Sequence, residues 1–170
     1  EDVRGGLKVS RANGLHAVTA TTAPWPGSMY RLRRYFGDRA PEPAADDRPV
    51  ILLVPPMMVD ANVFDVTEAN GAVSVLHRAG LDAWVIDFGA PDREEGGLER
   101  NLADHVVAVS EAIDWIIEST GRDVHVAGYS QGGMFAYQTA AYRRSRDIAS
   151  LVTFGSPVNL IAALPLGIPA

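Results

Sequence analysis

The sequence predicts an α/β fold in which a mostly parallel β-sheet carries helices on both faces. Short apolar runs without charged residues, at positions 50–54, 83–86 and 124–127, are typical of buried parallel strands. Segments with apolar side chains every three or four residues lie between these runs and indicate amphipathic helices. Strands that alternate with helices form βαβ units, because a parallel strand pair needs a crossover connection.

The predicted elements follow in a regular order along the chain. The strands are 28–34, 50–54, 83–86, 124–127 and 149–154, and we expect all five to run parallel. The helices are 66–78, 98–119 and 130–144, of which the second has the most regular periodicity, with apolar residues at Leu98, Leu102, Val106, Val109, Ile113 and Ile116. Gly80 and Gly121 follow the first two helices, as expected of residues that end a helix.

One globular core is expected, because 170 residues suffice to bury roughly two thirds of the surface of the unfolded chain. We divide the chain into an N-terminal extension at 1–27, a partial core at 28–159, and a segment at 160–170 that starts a cap or a linker. That last segment is unusually apolar for a surface terminus, and Pro165 and Pro169 interrupt it.

Composition and charge exclude several classes of function. The 15 basic residues against 21 acidic ones give a net charge of −6, which argues against a nucleic-acid partner. The chain has no cysteine, so disulfides, zinc–thiolate sites and cysteine nucleophiles are excluded. Lys8 is the only lysine and lies outside a phosphate-loop pattern, and no two glycines are two positions apart, as a dinucleotide fingerprint needs. The histidines share no metal-ligand spacing, so we expect neither a metal nor a cofactor.

The location of the protein is inferred from signals that the sequence lacks. No apolar run approaches the roughly 18 residues needed to cross a bilayer. The N-terminal residues do not show the basic-then-apolar pattern of a signal peptide. The sequence therefore predicts a soluble, cytoplasmic protein without a membrane span.

Residues 128–132, Gly-Tyr-Ser-Gln-Gly, match the G-x-S-x-G pattern of a nucleophile elbow. The motif falls between a predicted strand and a predicted helix, which is the context that this sharp turn requires. Gly128 and Gly132 suit such a turn because it brings backbone against backbone, where a Cβ atom would collide. Ser130 would lie at a helix N-terminus, whose partial positive charge favours an oxyanion. The motif predicts Ser130 as a catalytic nucleophile.

Two backbone N–H groups are expected to form an oxyanion hole beside this serine. The first is the N–H of Gln131, directly after the nucleophile. The second should come from the loop after strand 50–54, where Pro55 and Pro56 have no N–H to donate. Met57 and Met58 are the candidates, and the sequence leaves the choice between them open.

The sequence does not identify a catalytic base. Triads of this kind follow the order Ser, acid, His, yet every histidine precedes Ser130: His16, His77, His105 and His125. We interpret the last two as packed structural histidines, and His77 as a residue that suits a helix C-terminus.

The acidic residues near the motif do not complete a triad either. Asp147 is the only acid after Ser130, and we expect it to cap or pair at the surface. Asp87 ends a predicted strand but precedes the nucleophile, so we interpret it as a residue that orders a loop. The paired acids elsewhere are interpreted as solvated charge.

With this motif and this strand order, the chain resembles the α/β-hydrolase superfamily, and within it the polyhydroxyalkanoate synthase (PhaC-like) branch. The matching segments are 29–33, 52–56, 62–66, 80–91 and 126–133. The resemblance implies an α/β-hydrolase fold that is incomplete at its C-terminal end, with the family's acid and histidine beyond a cap that would begin near Gly155. The family's nucleophile is a cysteine that holds the growing polyester as a thioester, whereas this chain has Ser130.

A serine at that position implies a hydrolase or acyltransferase that acts on carboxylic esters or acyl-CoA-like thioesters through an acyl-serine intermediate. Two alternatives stay open: a non-catalytic binding or interdomain module, and a polymerase like the polyhydroxyalkanoate synthases. Similar domains occur joined to acyl-activating modules, so we expect further domains in the full protein. Because the base is missing, we expect little turnover from the 170 residues alone.

Overall fold

The computed structural model of the chain describes residues 8–12, 15–20, 29–36, 47–67, 70–94 and 96–159. The predicted segment 160–170 lies outside the described residues, and the division of the chain into three segments stays a prediction. Within the described residues, no helix is both long enough and apolar enough to span a membrane.

A seven-stranded sheet organises the described part of the chain. Its strands are β1 (Lys8–Ala12), β2 (Leu15–Ala20), β3 (Arg31–Phe36), β4 (Val50–Val54), β5 (Asp82–Asp87), β6 (Val124–Tyr129) and β7 (Ile148–Phe154). They lie in the order β1-β2-β3-β5-β4-β6-β7. The α-helices are α1 (Ala72–Arg78), α2 (Leu102–Thr120) and α3 (Gln131–Arg143), and two 3₁₀-helices cover Ala61–Phe64 and Gly97–Glu99.

The expectation of five parallel strands is wrong for the first of them. Strands β5, β4, β6 and β7 run parallel, but β3 pairs antiparallel with β5, with Arg31 opposite Asp87 and Tyr35 opposite Ala83. In this direction β3 ends at the sheet edge where β4 begins. The connection between them therefore does not have to run back along the length of the sheet.

The hairpin of β1 and β2 is a feature that the sequence analysis missed. The two strands pair antiparallel, with Ala12 opposite Leu15, and β2 continues the sheet on β3. The two residues between them are Asn13 and Gly14, and Asn-Gly is the strongest short-range hairpin signal in a sequence. That dipeptide could have predicted the hairpin.

Two helices begin later than their apolar periodicity predicts. Helix α1 starts at Ala72, after Gly71 in extended conformation, and not at residue 66. Helix α2 starts at Leu102 because Asn101 and Asp104 form a capping box, in which each side chain accepts a hydrogen bond from the backbone N–H of the other. At its other end, Gly121 has a φ of 68°, and this left-handed residue ends the helix as predicted.

The expected helices on both faces of the sheet are confirmed, and each face has its own apolar core. Helices α2 and α3 pack on one face, against Leu52, Trp84, Ile86 and Val126. The first 3₁₀-helix and α1 pack on the other face, against Tyr35, Leu53, Val85 and Ala127. Neighbouring residues of one strand serve opposite faces because side chains alternate along a strand. The buried central strands thus hold the strand ends, where the candidate site lies, in fixed register.

Candidate functional site

The turn between β6 and α3 places Ser130 at the carboxyl edge of the parallel strands. Ser130 has φ 54° and ψ −122°, a conformation that costs a non-glycine residue about 1–3 kcal/mol. Its backbone N–H donates a 2.8 Å hydrogen bond to the carbonyl oxygen of Phe154, and its side chain is half-buried. Strand pairing and the start of α3 therefore hold this serine in a strained turn that exposes its side chain at the sheet edge.

The glycines of the motif lie where backbone segments touch. A Cβ atom on Gly128 would lie 2.5 Å from the carbonyl oxygen of Gly132. A Cβ atom on Gly132 would overlap the carbonyl group of Val54, with 2.6 Å to its carbon, and would come within 2.7 Å of the Pro55 oxygen. Such distances are shorter than any real Cβ contact, so both positions need glycine. The second contact also brings the end of β4 directly against the first turn of α3.

The predicted oxyanion residues occupy both sides of this contact. Gln131 is the first residue of α3, and N–H groups in the first turn of a helix have no acceptor within the helix. Met57 and Met58 lie in the turn that follows β4, the neighbour of β6 in the sheet. The Met57 side chain packs partly buried against the core, whereas the Met58 side chain is 76% exposed. These positions meet the sequence expectation for the loop, and the role of each N–H stays a prediction.

His105 is a packed residue, as the sequence analysis interpreted it. It is buried on α2 between two aromatic rings: stacked on Phe135 with 4.6 Å between ring centroids, and edge-on to Phe88 at 4.9 Å. Its Nδ1 lies 2.7 Å from the Asn101 carbonyl oxygen, to which it donates a proton. Burial lowers the pKa of His105, and the hydrogen bond to Asn101 opposes the shift only in part. The ring is therefore held neutral.

The other two histidines with described side chains are also engaged away from the serine. His125 lies 2.8 Å, through Nδ1, from the hydroxyl of Ser150 on β7. His77 lies 3.3 Å, through Nδ1, from the guanidinium of Arg48. Within the part of the chain described with side chains, no hydrogen bond joins a histidine to Ser130, so the structure brings no base to the elbow.

The two acids that the sequence analysis left without a catalytic role have structural partners. Asp87 is buried at the end of β5, where one carboxylate oxygen pairs with Arg33 and the other accepts a 3.0 Å bond from the N–H of Gly89. It therefore orders the loop after β5, as interpreted. Asp147 pairs with Arg143 at 2.7 Å, as expected of a surface pair.

Arginines anchor the loop after β5, and the sequence analysis did not identify them. Arg31 on β3 pairs with Glu94 of this loop, and Arg33 pairs with Asp87 at its start. Arg100 donates a 2.7 Å hydrogen bond to the carbonyl oxygen of Phe88. The alternating Arg31 and Arg33 were a weak signal, since a strand with arginines on one face needs acidic partners there. These contacts fix one wall of the carboxyl edge.

Metal chemistry has no visible support in the described residues. No group of three or more His, Asp or Glu side chains there is arranged to hold a metal ion. The buried carboxylate of Asp82 instead accepts two hydrogen bonds from Arg34, at 2.9 and 2.7 Å.

Comparison with known proteins relates the sequence to polyester polymerases. No protein-family model matches the chain. The chain is 31% identical over 141 residues to the poly(3-hydroxyalkanoate) polymerase subunit PhaC of Allochromatium vinosum, a match over 78% of this chain and 39% of that protein. It is 28% identical over 106 residues to the subunit of the same name from Thiocystis violacea, over 58% of this chain and 29% of that protein. The chain thus spans less than half the length of these curated relatives.

Solved structures share the fold at low sequence identity. A dienelactone hydrolase from Anabaena variabilis superposes with a TM-score of 0.64 at 18% identity, over 90% of this chain and 69% of that one. The thioesterase domain from the curacin biosynthetic pathway gives 0.60 at 16% identity, over 85% and 47% of the two chains. The lipase BlEst2 of Bacillus licheniformis gives 0.55 at 19% identity, over 75% and 46%. The chain therefore has an α/β-hydrolase fold and is related in sequence to the PhaC polymerase subunits.

Proposed function

We propose that this chain carries the nucleophile of a serine-dependent hydrolase or acyltransferase that acts on carboxylic esters or acyl thioesters. The observation that supports this most is the backbone of Ser130, at φ 54° between β6 and α3. Strain of this kind persists only where the surrounding structure imposes it, and it clusters at functional sites. The relation to hydrolase folds and to PhaC agrees with an acyl substrate.

In the proposed reaction, the Ser130 oxygen attacks the carbonyl carbon of the substrate while a base takes the hydroxyl proton. The carbonyl oxygen becomes an oxyanion, which would accept hydrogen bonds from the N–H groups of Gln131 and of Met57 or Met58. When the intermediate collapses, the alcohol or thiol leaves with the proton and the acyl group stays on Ser130. Water or an alcohol then attacks the acyl-serine and releases the acid or a new ester.

The contact between α3 and β4 supports this oxyanion hole. Gly132 lies against the Val54 carbonyl, so the turn that holds Met57 follows directly from a point already touching the elbow. The positive end of the α3 dipole adds to the stabilisation of the oxyanion. Since the described side chains supply no base, we propose that the base comes from elsewhere in the functional protein.

A polymerase-like activity is the second candidate, favoured by the 31% identity to a PhaC subunit. In that reaction the acceptor is the hydroxyl group of another 3-hydroxyacyl unit instead of water. Incubation with a 3-hydroxyacyl-CoA distinguishes the two, because a hydrolase releases free acid and CoA in equal amounts, whereas a polymerase releases CoA and forms polyester.

The test of the nucleophile is covalent labelling by a fluorophosphonate, with and without added imidazole as an external base. We expect slow labelling at Ser130, faster with imidazole, in the unmodified chain and in a Ser119→Ala control, because Ser119 is bonded to the Trp115 carbonyl on α2 far along the chain. Ser130→Ala should abolish the label. If Ser130 stays unlabelled even with imidazole, the serine is not activated and the non-catalytic alternative holds.

A further inference from the structure

Strand β7 forms the outer edge of the sheet beyond β6 and is the least covered strand among those with described side chains. Its seven residues, Ile148–Phe154, include no charged residue, no proline and no glycine. All positions from 149 to 154 are exposed, with Leu151 at 37%, Val152 at 45% and Phe154 at 56%. Natural edge strands are normally protected by charges, proline or short length. This one has none of those protections.

The free edge offers backbone hydrogen bonds as well as apolar surface. Within the described ranges, β7 pairs with β6 alone, so alternate N–H and C=O groups point outwards from the sheet. Its side chains also leave apolar surface on both faces, with Leu151 on the side of Val126 and with Val152 and Phe154 on the side of Ala127 and Tyr129. A strand added to this edge would satisfy the backbone and cover both faces at once.

We propose that the partner for this edge is β7 of a second copy of the chain, paired antiparallel about a two-fold axis at Leu151. An isologous contact of this kind needs a surface that complements itself. Pairing about Leu151 sets Ser150 opposite Val152 of the second copy, and Ile148 opposite Phe154 of the second copy. The two copies then form one continuous sheet.

The charges that flank β7 are compatible with this pairing. In the same register Asp147 faces Gly155 of the second copy, and Arg146 faces Ser156 of the second copy, so no like charges meet. Asp147 is in addition neutralised within its own chain by Arg143. Like charges placed directly opposite each other would oppose the pairing, and here there are none.

Because the chain has no cysteine, single cysteine variants can test the pairing and its register. In an antiparallel pair, directly opposed residues have Cα atoms about 4.5–5.5 Å apart, within the range that a disulfide spans. Leu151→Cys should therefore cross-link into a covalent dimer when diamide oxidises the two thiols. Val152→Cys, two residues out of register with its own copy, should cross-link at least about tenfold more slowly.

Two controls keep the result interpretable. Leu98→Cys places an equally exposed thiol in the loop after β5, and it should cross-link no faster than random collision allows. Sedimentation of the unmodified chain should show a concentration-dependent monomer–dimer equilibrium. A chain that stays monomeric, or a Val152→Cys variant that cross-links as fast as Leu151→Cys, would overturn the proposal.

Discussion

The elbow around Ser130 and the arginine-rich region of β3 and β5 are held together by different forces. At the elbow, Gly128 and Gly132 let backbone press on backbone, and the fit is steric. In the second region, three arginines of β3 pair with acids 63, 54 and 48 residues away in the chain. The steric site is encoded within five residues, whereas the electrostatic one depends on the whole fold, so mutations should affect the two regions in different ways.

The largest effect should come from the buried pair of Arg34 and Asp82. Asp82→Ala leaves the guanidinium of Arg34, itself almost fully buried, without its carboxylate, and breaking a buried pair costs about 3–5 kcal/mol. Urea unfolding should show this loss of stability. Asp114→Ala is the control, because Asp114 pairs with Arg143 but is largely exposed, and an exposed pair is worth about 1 kcal/mol or less. Equal losses in both variants would contradict the contrast.

The steric character of the elbow is tested by Gly132→Ala. The added Cβ would collide with the carbonyl of Val54, so we expect a loss of about 3 kcal/mol in unfolding free energy, together with loss of fluorophosphonate labelling at Ser130. Gly121→Ala adds a Cβ into open space at a φ of 68° and should cost about 1 kcal/mol without affecting the label. Normal labelling in Gly132→Ala would show that the contact with β4 is not needed.

The buried ring of His105 predicts how stability depends on pH. Its pKa is lowered by burial, so below the ordinary value of about 6.5 the unfolded chain binds a proton that the folded chain resists. Unfolding free energy should therefore fall as the pH drops below about 6.5, by at most about 1.4 kcal/mol per pH unit from this residue. Arg100 and Asp104, the nearest charges, act in opposite directions.

Replacement separates this histidine from other acid-sensitive groups. In His105→Phe the dependence on pH between about 5 and 6.5 should flatten, since an aromatic ring of similar shape keeps the stack with Phe135. In His125→Gln, which changes a more exposed histidine, the slope should stay. Denaturant titrations at a series of pH values provide the measurement, and an unchanged slope in His105→Phe would refute the assignment.

The smallest effect is expected at the start of α2. Asn101→Ala removes the side chain that accepts hydrogen bonds from the N–H groups of Ala103 and Asp104, which should cost about 1 kcal/mol. Thermal unfolding followed by circular dichroism measures it. Asp60→Ala, which removes the cap of the short 3₁₀-helix, is a matched comparison on the opposite face and should cost less. A loss at Asn101 as large as that at Asp82 would break the ranking.

Local patterns in the sequence predicted the elements near the elbow. The run 50–54 gave β4 at its observed bounds, and the turn at 128–132 lies between β6 and α3. Periodicity alone placed the start of α2 at residue 98, because Leu98 continues the apolar spacing even though it is 82% exposed. The capping pattern Asn101-x-x-Asp104 was visible and marks the true start.

Contacts between distant segments could not be predicted in the same way. Nothing near Arg33 in sequence indicates Asp87 as its partner, because that pairing exists only once β3 lies antiparallel to β5. The direction of β3 depends in turn on where the chain enters β4. The missing base at the elbow could be noted from the order of residues, since every histidine precedes Ser130.

The hydrogen bond from the Ser130 amide to the Phe154 carbonyl makes a single proton a timer for the elbow. That amide exchanges with solvent only when β7 separates from β6, so its exchange rate counts how often the strained backbone of the serine is released. Amides in the middle of β4 and β5, buried between neighbours on both sides, exchange only when the whole sheet opens. The ratio of the two rates gives the free energy that separates fraying of the outer strand from global unfolding.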